Sequence, residues 1–283
     1  MTIEPKKGRL MPLNKPQDEV RLKAQQMREA QAKADRRTRM IIISIVLIVV
    51  LAVIATVAIV ISNQVNKKNA AIDADPATTL GEYANGEPII YSHLGVGKKD
   101  EALPTLTEYF DYSCHACADI DVALGHDLVE GAERGEYNLE IQPVTTVGMA
   151  YELPATSASL IVAREDPEHW ISFHHALLSY FASQFNSGKG TVIQDLDKSW
   201  EQVKVIAKEQ GVSDEVVAKL PPNVVEKYLE ASTQAWRDAP IQGRGNLGTP
   251  EFVKDHSTEI PLSGSNAAEF LSVVRAAMGL KTE

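Results

Sequence analysis

"TEYFDYSCHAC", residues 107–117, decides how this chain is read. It begins inside a run of β-formers and ends on two cysteines three positions apart, the only two in 283 residues. Residues 105–111 predict a strand whose alternation sets Leu106, Glu108 and Phe110 on one face. From Cys114 the period turns helical. Ile120, Leu124 and Leu128 form an i, i+4, i+8 stripe, and Gly135 after Arg134 is a stop signal. The two cysteines therefore straddle the first turn of a helix that follows a strand.

That position has chemical consequences. The first sulfur lies near unpaired backbone N–H groups and the positive end of the helix dipole. Both favour the thiolate over the thiol and lower the Cys114 pKa. Cys117, one turn on, faces inward and can attack the first sulfur, so the pair can cycle between dithiol and disulfide. Stabilising the thiolate stabilises the reduced form, which makes the disulfide a stronger oxidant. One pKa unit is worth about 1.4 kcal/mol, or about 30 mV for this two-electron couple.

Two other uses of the pair stay open. A purely structural disulfide closing four residues removes only about 2 kcal/mol of chain entropy, against about 5 for a 100-residue loop. A metal site has two thiolates where tetrahedral zinc wants four ligands. His115 adds a third that suits copper(I), the metallochaperone alternative. Elsewhere, "HWISFHH" offers His169, His174 and His175 at spacings of five, six and one, not the i, i+4 pair of a helical zinc site. Trp170, Phe173, Leu177 and Phe181 read as packing of the same helix, and no metal is expected there. The glycine clusters "GVGKKDE" and "GRGNLG" lack the strand–loop–helix setting and lysine of a phosphate loop, and no cofactor is expected.

Outward from the cysteines, residues 87–95 predict a strand, "YNLEIQPV" a further one with Tyr137, Leu139 and Ile141 alternating, and residues from about 152 to 239 several helices. "GNLGTPEFVKD" and "STEIPLSG" suit two late strands. The last helix, residues 266–280, lines Phe270, Val274 and Met278 on one face. The order is β-β-α-β, a helical block, then β-β-α, an α/β class.

The N-terminal portion reads differently. Residues 40–62 carry no charge, and 23 residues make about 34 Å of helix, enough to span a hydrocarbon core of about 30 Å. The 39-residue leader and the long apolar run favour an uncleaved anchor over a signal peptide. Lys33, Arg36, Arg37 and Arg39 outweigh Lys67 and Lys68, which sets residues 1–39 in the cytoplasm and the rest outside. Residues 1–39 hold 11 Lys/Arg against 5 Asp/Glu, and the remainder 17 against 33. The basic tail suits anionic lipid heads. The acidic body excludes nucleic acid as its partner. Residues 63–86 read as a linker.

"TEYFDYSCHAC", "HWISFHHALL" and "GNLGTPEFV", in that order, resemble the DsbA-like family of thioredoxin-fold thiol–disulfide oxidoreductases over residues 87–283, with the helical insertion at about 152–239. The resemblance implies a thioredoxin fold, here preceded by the one transmembrane helix read from residues 40–62. It implies that Cys114 is the solvent-exposed nucleophile and Cys117 the buried resolving cysteine. It implies that Pro250 is cis and that Thr249 offers its backbone to a substrate peptide. It implies that Glu108 is a buried acid relaying protons to the resolving cysteine. The sequence departs from the family where His115 and Ala116 fill the two positions between the cysteines; a His usually stands second in the best-known oxidases. His115 can still favour the thiolate by charge or a hydrogen bond. The implied activity is oxidation of reduced secreted polypeptides at a cell membrane, with recycling by a quinone-linked oxidase of the DsbB or VKOR type. A thiol reductase, or a chaperone or docking domain of the same fold, stays open.

Overall fold

The computed structural model describes residues 74–188, 190–263 and 266–281, together with helical positions scattered between 21 and 53. The chain divides into two units, residues 1–65 and 66–283. In the first, every described position is helical. Among the described residues no helix is long and apolar enough to cross a membrane. The segment 40–62, expected to do so, lies largely outside the described residues.

The second unit begins earlier than the sequence suggested. Helix α1 (Pro76–Leu80) and a 3-10 turn (Gly81–Tyr83) occupy the stretch read as linker. Asp75 caps α1 by accepting from the Thr78 N–H, and Pro76 stands in the first turn, a start signal for a helix. Leu80 and Tyr83 are buried in the core. Arg164 donates to the carbonyls of Thr78 and Thr79 and holds α1 in place.

The sheet has six strands: β1 (Ile89–Ser92), β2 (Gly95–Val96), β3 (Thr105–Phe110), β4 (Asn138–Pro143), β5 (Glu251–Lys254) and β6 (Thr258–Ile260). Their spatial order is β2-β1-β4-β3-β5-β6. Only β3 and β4 run parallel, with Glu108 opposite Ile141. On its other side β3 pairs antiparallel with β5, Glu108 opposite Phe252. A parallel pair needs a crossover. Here it is α2 (His115–Ile120), which runs through a π-helical turn (Asp121–Gly125) into α3 (His126–Glu133). Gly135, at φ +71°, ends that crossover in the left-handed conformation that glycine adopts freely.

Strand β3 is buried at all six positions because both faces of the sheet are covered. Leu106 and Phe110 enter the main core, as their alternation foretold. Tyr109 faces the other way, into a smaller cluster with Val144, Trp236 and Val253. The helical block between β4 and β5 comprises α4 (Glu152–Glu165), α5 (Pro167–Asn186), α6 (Leu196–Glu209), α7 (Asp214–Lys219) and α8 (Glu226–Asp238). Helix α5 packs on both α2 and α4, burying Trp170, Phe173, Leu177 and Phe181. Helix α9 (Ala267–Ala277) closes the chain behind a cap in which Asn266 accepts from the Glu269 N–H.

Candidate active site

The two cysteines are held by the carboxylate that ends β3. Asp111 is buried, and its Oδ1 accepts from both the N–H and the hydroxyl of Ser113, each at 2.7 Å. Its carbonyl accepts from the Cys114 N–H at 2.9 Å. Oδ2 accepts from the N–H groups of Thr146 and Val147 and from the Thr146 hydroxyl. Thr146 Oγ1 in turn lies 2.7 Å from Thr249 Oγ1. One side chain thus joins the cysteine turn, the loop after β4 and the loop before β5. That last loop is fixed from behind by Arg244, which donates from Nε and Nη2 to the two oxygens of Glu251 at 2.7 and 2.8 Å.

Thr249-Pro250 is a cis peptide, as the resemblance implied. The Thr249 carbonyl accepts from Cys114 Sγ at 3.5 Å. Cys114 caps α2 with extended backbone, φ −89° and ψ 120°, so its sulfur sits at the helix start. Both cysteines are reduced thiols here. The Cys114 thiol is lowered from its ordinary value to about 6. The hydrogen bond from Cys117 is the largest cause and outweighs the opposing burial; the Thr249 side chain and the Cys117 backbone N–H add to it. Burial pushes the Cys117 thiol well up, and its hydrogen bond to Cys114 adds to that. Near neutral pH one sulfur is thus a thiolate and its neighbour a thiol that donates to it. The resemblance implied a solvent-exposed Cys114. Instead the residue is 7% exposed and lies just beneath the surface, under the Thr249 carbonyl.

Glu108 faces the core as its position between Leu106 and Phe110 required, and it is 6% exposed. Burial raises its pKa to about 8, with the negative charge of Asp121 contributing. Its carboxyl lines a cavity of about 10 Å³, room for a single water, together with Asp121, His174 and His175.

His115 is brought to a different place from the one expected. Its Nε2 lies 2.9 Å from both Asn186 Oδ1 and Asp119 Oδ2, and its ring stacks on Phe185 at 4.3 Å. The first position of a helix projects outward, and here the imidazole is anchored on the end of α5 and not on a sulfur. Asp111, Thr146 and Asp121 were not picked out from the sequence. Two of the three left a signal. Asp-x-Ser directly before a helix is an Asx-turn pattern, and Asp121 follows Cys117 by four, on the same inward face.

Fold and geometry define a class: the DsbA-like thioredoxin fold, a mixed sheet with a helical insertion and an asymmetric cysteine pair at a helix start. The chain is similar in structure to MdbA, a thiol-disulfide oxidoreductase from Actinomyces oris, at a TM-score of 0.52 and 20% identity, covering 62% of this chain and 80% of that one. It is also similar to MdbA from Corynebacterium diphtheriae, at 0.48 and 17%, covering 65% and 93%. Reduced DsbA from Mycobacterium tuberculosis matches at 0.46 and 18%, covering 69% and 93%. At 20% identity the first of these likenesses shows the fold alone. No family model and no curated protein matches the sequence.

Proposed function

We propose that the chain is a membrane-tethered, extracytoplasmic thiol–disulfide oxidoreductase that introduces disulfides into reduced secreted polypeptides. The observation that carries this reading is the opposite displacement of two adjacent thiols, Cys114 down to about 6 and Cys117 well up. A structural disulfide or a buried packing cysteine has no use for such a difference.

The proposed cycle starts from the Cys114–Cys117 disulfide. A substrate thiolate attacks Cys114 Sγ, the bond to Cys117 breaks, and Cys117 leaves with the electron pair. A sulfur whose pKa is raised by burial takes a proton readily, and Glu108, protonated below about 8, is the proposed donor. A second substrate thiolate then attacks the substrate sulfur of the mixed disulfide. Cys114 leaves as a stabilised thiolate, the substrate is oxidised by two electrons, and the enzyme is reduced by two. Thr249 and Pro250 are proposed to align the substrate backbone beside Cys114. His115 is proposed to tune the pair only indirectly, through the α5 contact. Tethering by residues 40–62 keeps the domain near a quinone-linked DsbB- or VKOR-type partner in the bilayer, which restores the disulfide. Disulfides persist outside the cytoplasm, which supports the oxidative direction.

The test is oxidation of a reduced dithiol peptide by the disulfide form. Cys114→Ser is expected to abolish it, and Cys117→Ala to accumulate mixed disulfides on non-reducing gels. A Cys114→Ser variant as active as the parent sinks the proposal.

A further inference from the structure

Behind the cysteine helix lies a second cluster of polar groups, which the proposed thiol chemistry leaves unexplained. The π-helical turn Asp121–Gly125 points Asp121 at His174 and His175 on α5. Such turns are frequent at functional sites. Asp121 Oδ1 is 2.7 Å from His175 Nδ1 and 3.8 Å from His174 Nε2. Asp121 Oδ2 and His175 Nε2 are buried without a hydrogen-bond partner.

Proton positions sharpen the problem. Trp170 Nε1 and the Tyr112 hydroxyl both donate to Ser159 Oγ. The Tyr112 oxygen, 2.7 Å from His174 Nδ1, is then left to accept, so Nδ1 carries the proton. His174 Nε2 is therefore a lone pair turned towards a carboxylate oxygen. The Asp121 side chain is 4% exposed, and among the described residues no lysine or arginine pairs with it. A buried carboxylate with no full counter-charge is costly. The absence of a side chain at Gly125 is what lets Asp121 and His175 meet there. A Cβ at Gly125 would lie 2.5 Å from Asp121 Oδ1 and 2.9 Å from His175 Nδ1.

We propose that Asp121, His174 and His175, with Glu108 across the cavity, form a binding site for one divalent cation of the zinc class. The ligand atoms are an Asp121 oxygen, His174 Nε2 and His175 Nδ1, all within 4.8 Å of one another. In a tetrahedral site with bonds of about 2.0–2.1 Å, ligand atoms stand about 3.3 Å apart. The observed 2.7 and 3.8 Å straddle that value, so each histidine needs to shift by about half an ångström relative to Asp121. The cation replaces the Asp121–His175 hydrogen bond, moves the His175 proton to Nε2 and neutralises the carboxylate. Tyr112 then orients His174 through its other nitrogen, the usual outer-shell arrangement of a metal histidine. Histidine spacing alone gave no sign of this site, because the third ligand comes from another helix. No sulfur is among its ligands.

The test titrates zinc chloride into the full chain carrying Cys114→Ser and Cys117→Ser, against a chromogenic chelator. One equivalent is expected to bind. Asp121→Asn and His175→Gln are each expected to weaken binding by at least about 100-fold, and the outer-shell change Tyr112→Phe by about 10-fold. Far-UV circular dichroism checks that each variant folds. X-ray absorption of the loaded parent should show two imidazoles and no sulfur, a readout that needs no variant. Absence of stoichiometric uptake, a shell with fewer than two imidazoles, or folded variants with the parent's affinity each overturn the proposal.

Discussion

At the scale of the residue, the site is a set of displaced proton affinities, and the displacement of Glu108 also reaches stability. Its folded pKa of about 8 lies above its ordinary 4.5. Between those values the unfolded chain has released a proton that the folded chain retains, so the stability contributed by this group falls as pH rises from about 4.5 to 8. Glu108→Gln removes the penalty. The variant is expected to exceed the parent in stability by about 4 kcal/mol at pH 8, and by much less at pH 5, in denaturant unfolding. It is also expected to slow turnover if Glu108 supplies the Cys117 proton. An equal gain at both pH values contradicts the assigned burial effect. The inward orientation of Glu108 was legible in its strand position, because alternation tells inward from outward. The surroundings of His115 were not. Where the first residue of a helix points depends on what α5 presents to it, Phe185 and Asn186, some 70 positions away.

At the scale of the element, three loops converge because one carboxylate accepts from two of them and, through Thr146, reaches Thr249 in the third. Asp111 receives five hydrogen bonds from Ser113, Thr146 and Val147. Replacing it by Ala leaves buried donors unsatisfied at about 1–3 kcal/mol each, partly recovered by water. Asp111→Ala is expected to cost about 3 kcal/mol in denaturant unfolding and, by removing a negative charge that raises the Cys114 thiol, to move the parent's Cys114 alkylation midpoint downward. Retention of the parent's stability would show that the loops hold without it. The strands, the crossover helix and the helical block could be read from periodicity and stop signals. Strand β2 could not, since two residues carry no period. Nor could the π-helical turn, which breaks the 3.6-residue rule while leaving composition unchanged. The start of the domain was misplaced because the signal lay in the cap at Asp75 and Pro76, inside a stretch whose polarity suggested a linker.

At the scale of the whole molecule, the charge split and the uncharged segment 40–62 suggest a division of labour, with the basic end at the inner leaflet and the acidic catalytic body outside. If so, the full chain remains with membranes through a high-salt wash, leaves them in detergent, and loses its domain to protease added to intact cells. Release by salt alone would reduce the tether to electrostatic adsorption. The order of the elements along the chain was readable in advance. The pairing order β2-β1-β4-β3-β5-β6 was not derivable from periodicity, because strand neighbours are set by contacts far apart in sequence. The same holds for the meeting of Asp121 with His174 and His175.

The account rests on the unequal acidity of two neighbouring sulfurs, and pH-dependent alkylation measures it most directly. The reduced protein is treated with iodoacetamide from pH 4 to 10, and each thiol is followed by mass spectrometry. The result expected is a single titration of Cys114 with a midpoint near 6, while Cys117 stays unmodified throughout. A Cys114 midpoint at its ordinary value near 9, or two thiols that react alike, contradicts the account.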